Sequence, residues 1–133
     1  LGNREERDFE DIFAAPEHKN LEILFAGNAP DYSEFSDDEM TEAGRGKQYL
    51  AYYGWKPYLH NPSLARWLHR IKAPTHILWG EADGFVGPDY GERLAERIPG
   101  AKLDVVSGAG HYPQIEKTAE TVSLLANGPC AVQ

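Results

Sequence analysis

"THILWGEADGFVGPDYGERLAERIPGAKLDVVSGAGH", residues 75–111, holds two short apolar runs that each close on glycine, with a helical pattern between them. The first run, "THILWG" (75–80), has the length and the bounding glycine of a buried strand. Pro88 and Asp89 open a helix over "PDYGERLAERI", in which Leu94 and Ile98 share one side. Gly91 weakens that helix by about 1 kcal/mol relative to alanine, and Pro99–Gly100 ends it. "AKLDVVSG" (101–108) alternates and then runs apolar, as a second strand. Strand, helix, strand with so long a crossover predicts a right-handed parallel unit, and hence an α/β fold.

Each strand leads into a glycine-flanked turn that carries one ionisable residue. Asp83 lies between Gly80 and Gly84, and His111 follows Gly108 and Gly110. In a parallel unit both turns fall beyond the carboxyl ends of neighbouring strands, the rim where open α/β sheets bind ligands. A lone loop Asp is most often a cap or a solvated charge, and a lone loop His is most often structural. Two such residues on adjacent turns point to chemistry instead. A carboxylate against Nδ1–H fixes the imidazole tautomer and stabilises the imidazolium formed when Nε2 accepts a proton. A base of this kind works near neutral pH and ordinarily serves a third residue.

Working outward, the residues before Lys72 are helical and irregular in pattern. "EERDFEDIFA" (5–14) places Phe9, Ile12 and Phe13 on one helix face. A second apolar run, "LEILFAGNAP", stops at Gly27, Asn28 and Pro30. Ser36 and Glu39 have the spacing of a capping box, which predicts a helix running towards "QYLAYYGW" and breaking at Gly54. In "NPSLARWLHRI", Asn61 suits an N-cap and Pro62 the first helical position, with Leu64, Trp67, Leu68 and Ile71 as a core-facing stripe. After the second strand, a last helix is expected over "TAETVSLLAN", stopped by Gly128–Pro129.

The composition bounds the class of protein. At 133 residues, 41% hydrophobic and 26% charged, the chain suits one globular domain with a core of its own. A net charge of −8 argues against nucleic acid or an anionic membrane as the main partner. Cys130 is the single cysteine, so no internal disulfide forms and no cysteine-based metal site exists; a reducing, cytoplasmic setting is expected. No apolar run approaches a membrane span, and "LGNREERDFED" is charged where a signal peptide would be apolar. The sequence begins at Leu1, not at Met, so further residues upstream are expected.

With these residues in view, "IKAPTHILWGEADGFVGPDYGERLAERIPGAKLDVVSGAGHYPQIE" resembles the C-terminal portion of the α/β-hydrolase fold family, in its esterase, epoxide-hydrolase and carbon–carbon-bond-hydrolase branch. Pro74 before the strand, "LWGEAD" with Asp83, "IPGAKLDVV", and "GAGHYPQIE" with His111 carry the resemblance, over about residues 68–116. It implies that Asp83 is the charge-orienting acid and His111 the general base of a nucleophile–His–Asp triad, in the family's chain order. It also implies two parts: a helical lid over residues 1–67, and over 68–133 the C-terminal β-α-β-α part of the hydrolase core.

One element of the family pattern is missing. Its nucleophile sits in a G-x-S-x-G elbow upstream of the lid. Ser33, Ser36, Ser63, Ser107 and Ser123 all lack glycines at both −2 and +2, and Ser107 reads as a strand end. No glycine-flanked Asp precedes the lid either, so the nucleophile, Ser or Asp, is expected outside this chain. Other motifs are weaker. "GRGK" (44–47) lacks the first glycine and the final Ser/Thr of a phosphate loop. His18, His60, His69 and His76 lack metal-ligand spacing. The aromatic residues of "YLAYYGWKPYLH" suit a lid packing on itself or a wall of an apolar pocket, and Tyr112 suits either pocket wall or core.

The sequence therefore reads as part of a hydrolase that cleaves an ester or related bond in a small apolar or ester-like substrate, without a cofactor. The alternative is a hydrolase-like binding or association protein, or an inactive fragment. Two parallel strands alone leave an unpaired edge and exposed apolar faces. A complementing chain or a homo-oligomer is the expected cover for them.

Overall fold

The computed structural model describes residues 11–55, 59 and 61–129. The described residues form two compact units, one of residues 11–29 and 63–129 and the other of residues 30–62.

In the first unit, helix α1 spans Glu17–Leu24. Ahead of it, residues 11–15 form a turn and not the helix that the spacing of Ile12 and Phe13 suggests. Asp11 explains the difference: its carboxylate accepts from the Phe13 and Ala14 amides at 3.0 and 3.3 Å, a local alternative to helical bonding. Pro16 then keeps the chain extended before α1. The earlier part of that expected helix lies outside the described residues.

Two short 3₁₀ turns, Leu64–Arg66 and Leu68–Arg70, replace the single helix expected over residues 61–71. Of the apolar stripe only Leu68 is fully buried, while Leu64 and Trp67 are exposed, with Arg70 stacked 5.1 Å from the Trp67 ring. A segment that buries one side chain gains little from completing an α-helix, and Pro74 soon forces extended backbone.

Strand β1 spans His76–Gly80 and strand β2 Lys102–Val106. They pair in parallel, in register from His76↔Lys102 to Gly80↔Val106. Helix α3, Pro88–Arg97, makes the crossover and packs on both strands. Gly91, which weakens α3 by propensity, is what permits that packing: a Cβ there would lie 2.9 Å from the Trp79 ring. Beyond β2 come a single turn, α4 (Pro113–Glu116), and helix α5 (Thr118–Ala126), close to the expected span. Phe25, Leu68, Ile98, Val106 and Ala109 are the buried apolar residues among those described, each large one contributing roughly 1.5–3 kcal/mol. Val105, Ile115, Val122 and Leu125 remain exposed.

The second unit is built on α2, Asp37–Gly54, which starts at the expected capping box: the Ser36 hydroxyl accepts from the Glu39 amide, and the Glu39 carboxylate accepts from the Ser36 amide at 2.8 Å. "GRGK" lies inside α2, where no phosphate loop can form. Tyr49, Tyr52, Tyr53 and Trp55 are exposed; Lys56, Pro57, Tyr58 and His60 lie outside the described residues. No described helix is long and apolar enough to cross a membrane.

Candidate active site

The rim beyond β1 and β2 is held by backbone contact that only glycine allows. A Cβ on Gly80 would collide with the Gly110 and Ala109 carbonyl oxygens. With that clearance, Glu81 N–H donates to the Val106 carbonyl at 3.0 Å and Ala82 N–H to the Ala109 carbonyl at 2.9 Å. Gly108, at φ +63°, makes the turn that follows β2. Glu81 adds a side-chain clasp, its carboxylate accepting from the Ser107 hydroxyl at 2.6 Å and the Gly108 amide at 3.1 Å. These two donors hold the Glu81 carboxyl below its ordinary range. Ser107 thus serves the turn, as a strand-end residue.

The structure brings Asp83 and His111 together across this rim. Asp83 Oδ2 lies 2.8 Å from His111 Nδ1. Its other oxygen, Oδ1, accepts from the Phe85 and Val86 amides, both at 2.9 Å. With Oδ1 committed as an acceptor, Nδ1 is the protonated nitrogen, and Nε2 keeps its lone pair. Val86 is bracketed from the other side by Trp79, whose indole N–H donates to the Val86 carbonyl at 2.8 Å. The Asp83 side chain is 3% exposed and the His111 side chain 31%, so the carboxylate is sequestered while the imidazole reaches solvent. Nε2 makes no hydrogen bond to any described residue. Phe85 and Tyr112 meet the imidazole edge-on, with centroids at 5.4 and 5.1 Å, and fix the ring plane. Tyr112 also stacks on Phe25, so it packs as well as flanks.

A second His–Asp pair was not anticipated from the sequence. His76 Nε2 lies 2.7 Å from Asp104 Oδ2, which also binds Lys102 Nζ at 2.7 Å. Lys102 first, then His76, holds the Asp104 carboxyl below its usual range. The exposures are inverted relative to the rim: the His76 side chain is 2% exposed and that of Asp104 24%. His76 Nδ1 is buried without a partner. An imidazole closed off on both nitrogens has no substrate to act on, so this pair ties the two strands. Strand alternation and the register place the three residues on one face, but a register cannot be read from one strand's sequence.

Glu116 also escaped the sequence reading. Its carboxylate gathers the amides of Ala26, Asn28 and Gly110 beside His111. No three His, Cys, Asp or Glu side chains converge as a metal-binding group among the described residues.

A family model described as the alpha/beta hydrolase fold matches residues 9–118. The chain is 44% identical over 55 residues to 2-hydroxy-6-oxononadienedioate/2-hydroxy-6-oxononatrienedioate hydrolase 2 of Pseudomonas putida, covering 41% of this chain and 19% of that one. It is 40% identical over 65 residues to 2-hydroxy-6-oxo-6-phenylhexa-2,4-dienoate hydrolase of Burkholderia cepacia, covering 46% of this chain and 23% of that one. The chain therefore spans about a fifth of the length of these relatives. Among solved structures, a membrane phospholipase A described as a bacterial virulence factor superposes with a TM-score of 0.62 at 21% identity, over 80% of this chain and 34% of the other. That likeness concerns the fold.

Proposed function

The chain belongs to the α/β-hydrolase fold family, and on that premise we propose that Asp83 and His111 are the acid and general base of a hydrolase whose nucleophile lies on residues outside this sequence. The observation that carries the reading is the 2.8 Å contact of Asp83 with Nδ1, which leaves Nε2 open. His111 Nε2 takes the proton of the nucleophile as that attacks a carbonyl carbon, and later returns it to the leaving group. Asp83 holds the ring in the productive tautomer and offsets the imidazolium charge. If the intermediate is covalent, Nε2 then activates a water in the same way.

Among bonds, the carbon–carbon bond beside a ketone is favoured over an ester. The relatives are named for 2-hydroxy-6-oxo-dienoates, molecules with a carboxylate, a hydroxyl and a ketone but no ester or amide. Hydrolysis of such a compound has only a carbon–carbon bond to cut. The chain spans only about a fifth of the length of those relatives, so a small ester stays the second substrate class. A helical lid over residues 1–67 and a cytoplasmic setting belong to the same reading. A complementing chain or a homo-oligomer covers the sheet edges. By itself, the 133-residue chain is expected to be inactive.

The test is turnover of 2-hydroxy-6-oxo-6-phenylhexa-2,4-dienoate and of a short aryl ester by full-length protein bearing this sequence, with and without His111→Ala. Loss of the base should lower kcat by at least ~10²-fold. Full turnover by the variant would show the role given to His111 to be wrong.

A further inference from the structure

The His-bearing turn has to stay within hydrogen-bonding reach of Asp83, yet it lies between β2 and α4 and belongs to neither. Two contacts fix it to the end of α1. His111 N–H donates to the Leu24 carbonyl at 2.8 Å, using an acceptor that the end of the helix leaves free. Glu116 supplies the other contact, and it is a bridge. Its Oε2 accepts from Gly110 N–H at 2.6 Å, immediately before His111. Its Oε1 accepts from Ala26 N–H at 2.7 Å and Asn28 N–H at 3.4 Å, in the segment after α1.

We propose that Glu116 is a positioning residue for His111, its carboxylate clamping the histidine turn to residues 24–28 so that Nδ1 stays aligned on Asp83. This inference rests on the reading of His111 as the general base. The chemistry of the bridge requires a carboxylate. Three N–H donors converge on one side chain, and only a carboxylate presents two oxygens that both accept. Glutamine would turn an NH₂ towards at least one amide. Aspartate keeps the charge but is one methylene too short to reach both segments. A Cβ at Gly110 would come within 2.7 Å of the Leu24 carbonyl and 2.9 Å of Glu116 Oε2, so the turn and the clamp fit each other closely.

The experiment uses full-length protein bearing this sequence, with Glu116→Gln, Glu116→Asp and His111→Ala. It reads kcat and KM for 2-hydroxy-6-oxo-6-phenylhexa-2,4-dienoate and for a short aryl ester, together with the ring N–H protons of ¹⁵N-labelled histidine. His76 provides an internal control, since its Nε2–H bonds Asp104 and shares no partner with Glu116. In Glu116→Gln, kcat should fall roughly 10- to 100-fold with little change in KM, as expected for a base held off its productive geometry. The His111 Nδ1–H signal should broaden or vanish while that of His76 persists, and Glu116→Asp should behave like Glu116→Gln. Unchanged kcat and an unchanged His111 proton in Glu116→Gln would overturn the proposal. Parent-like behaviour of Glu116→Asp would do so too, by showing that charge and not bridging matters. If Glu116→Gln loses both proton signals it has unfolded, and Glu116→Asp read the same way then decides. Full turnover by His111→Ala would remove the general-base reading yet leave the proton measurement of the clamp standing.

Discussion

Asp83→Asn separates the two tasks of that carboxylate. The new amide has two orientations. With its oxygen kept at the Oδ1 position it still accepts from Phe85 and Val86, and its NH₂ faces His111 Nδ1. Nδ1 must then become the acceptor, which moves the ring proton to Nε2 and leaves no base. With the amide reversed, the tautomer is correct but NH₂ faces two backbone N–H groups, stranding both at about 1–3 kcal/mol each. The first orientation costs less and should prevail. The fold is then kept at a cost of about 1–2 kcal/mol, the difference between a charge-assisted and a neutral hydrogen bond. Activity should fall by ~10⁴-fold in kcat, the effect of a wrong tautomer in a triad, equal to about 5 kcal/mol of barrier. Asp83→Ala instead loses both turn hydrogen bonds and should cost roughly 2–6 kcal/mol of stability. Steady-state kinetics and thermal melts of full-length protein distinguish the two variants. If Asp83→Asn kept kcat within about tenfold of the parent, the tautomer argument would fail.

Gly91→Ala should lower Tm although alanine is the better helix former. The propensity gain of about 1 kcal/mol is opposed by a Cβ 2.9 Å from a Trp79 ring pinned at Val86, and such overpacking costs roughly 1–3 kcal/mol; a raised Tm would refute this. A pH effect should come from Asp104, whose folded-state pKa is lowered by Lys102 and His76. Its stabilisation is complete above the unfolded carboxylate value, near ~3.9, and is lost as pH falls through the lower folded value. Melts of Asp104→Asn should therefore lose part of the parent's acid-side decline in Tm, and parallel curves for the two proteins would count against the ion-pair assignment.

What was legible in the sequence had a local cause. β1, α3 and β2 follow from runs and breakers a few residues apart, and the capping box at Ser36 and Glu39 is a four-residue pattern. Asp83 and His111 are legible because each is tied to its own strand end by neighbouring glycines, and the parallel topology brings both to one rim. Where local propensity competed with packing, it misled. Gly91 reads as a weak point in α3 until Trp79 is seen to need the space. Residues 61–71 show a helix stripe, yet only Leu68 has a core to enter.

The remaining parts of the site depend on distances along the chain that no pattern spans. Ala26 and Glu116 are 90 residues apart, and nothing in "FAGNA" signals that its amides need an acceptor from elsewhere. The two His–Asp pairs make the same point from chemistry, because both join residues 28 apart. Spacing cannot tell them apart. Burial does, since His76 is sealed while its carboxylate partner meets solvent, and at the rim the order is reversed. The base proposed at His111 needs an open far nitrogen, which the rim leaves and the sheet face at His76 does not. That asymmetry arises where a glycine turn lifts the ring off the end of β2, and it is absent where the ring sits within β1.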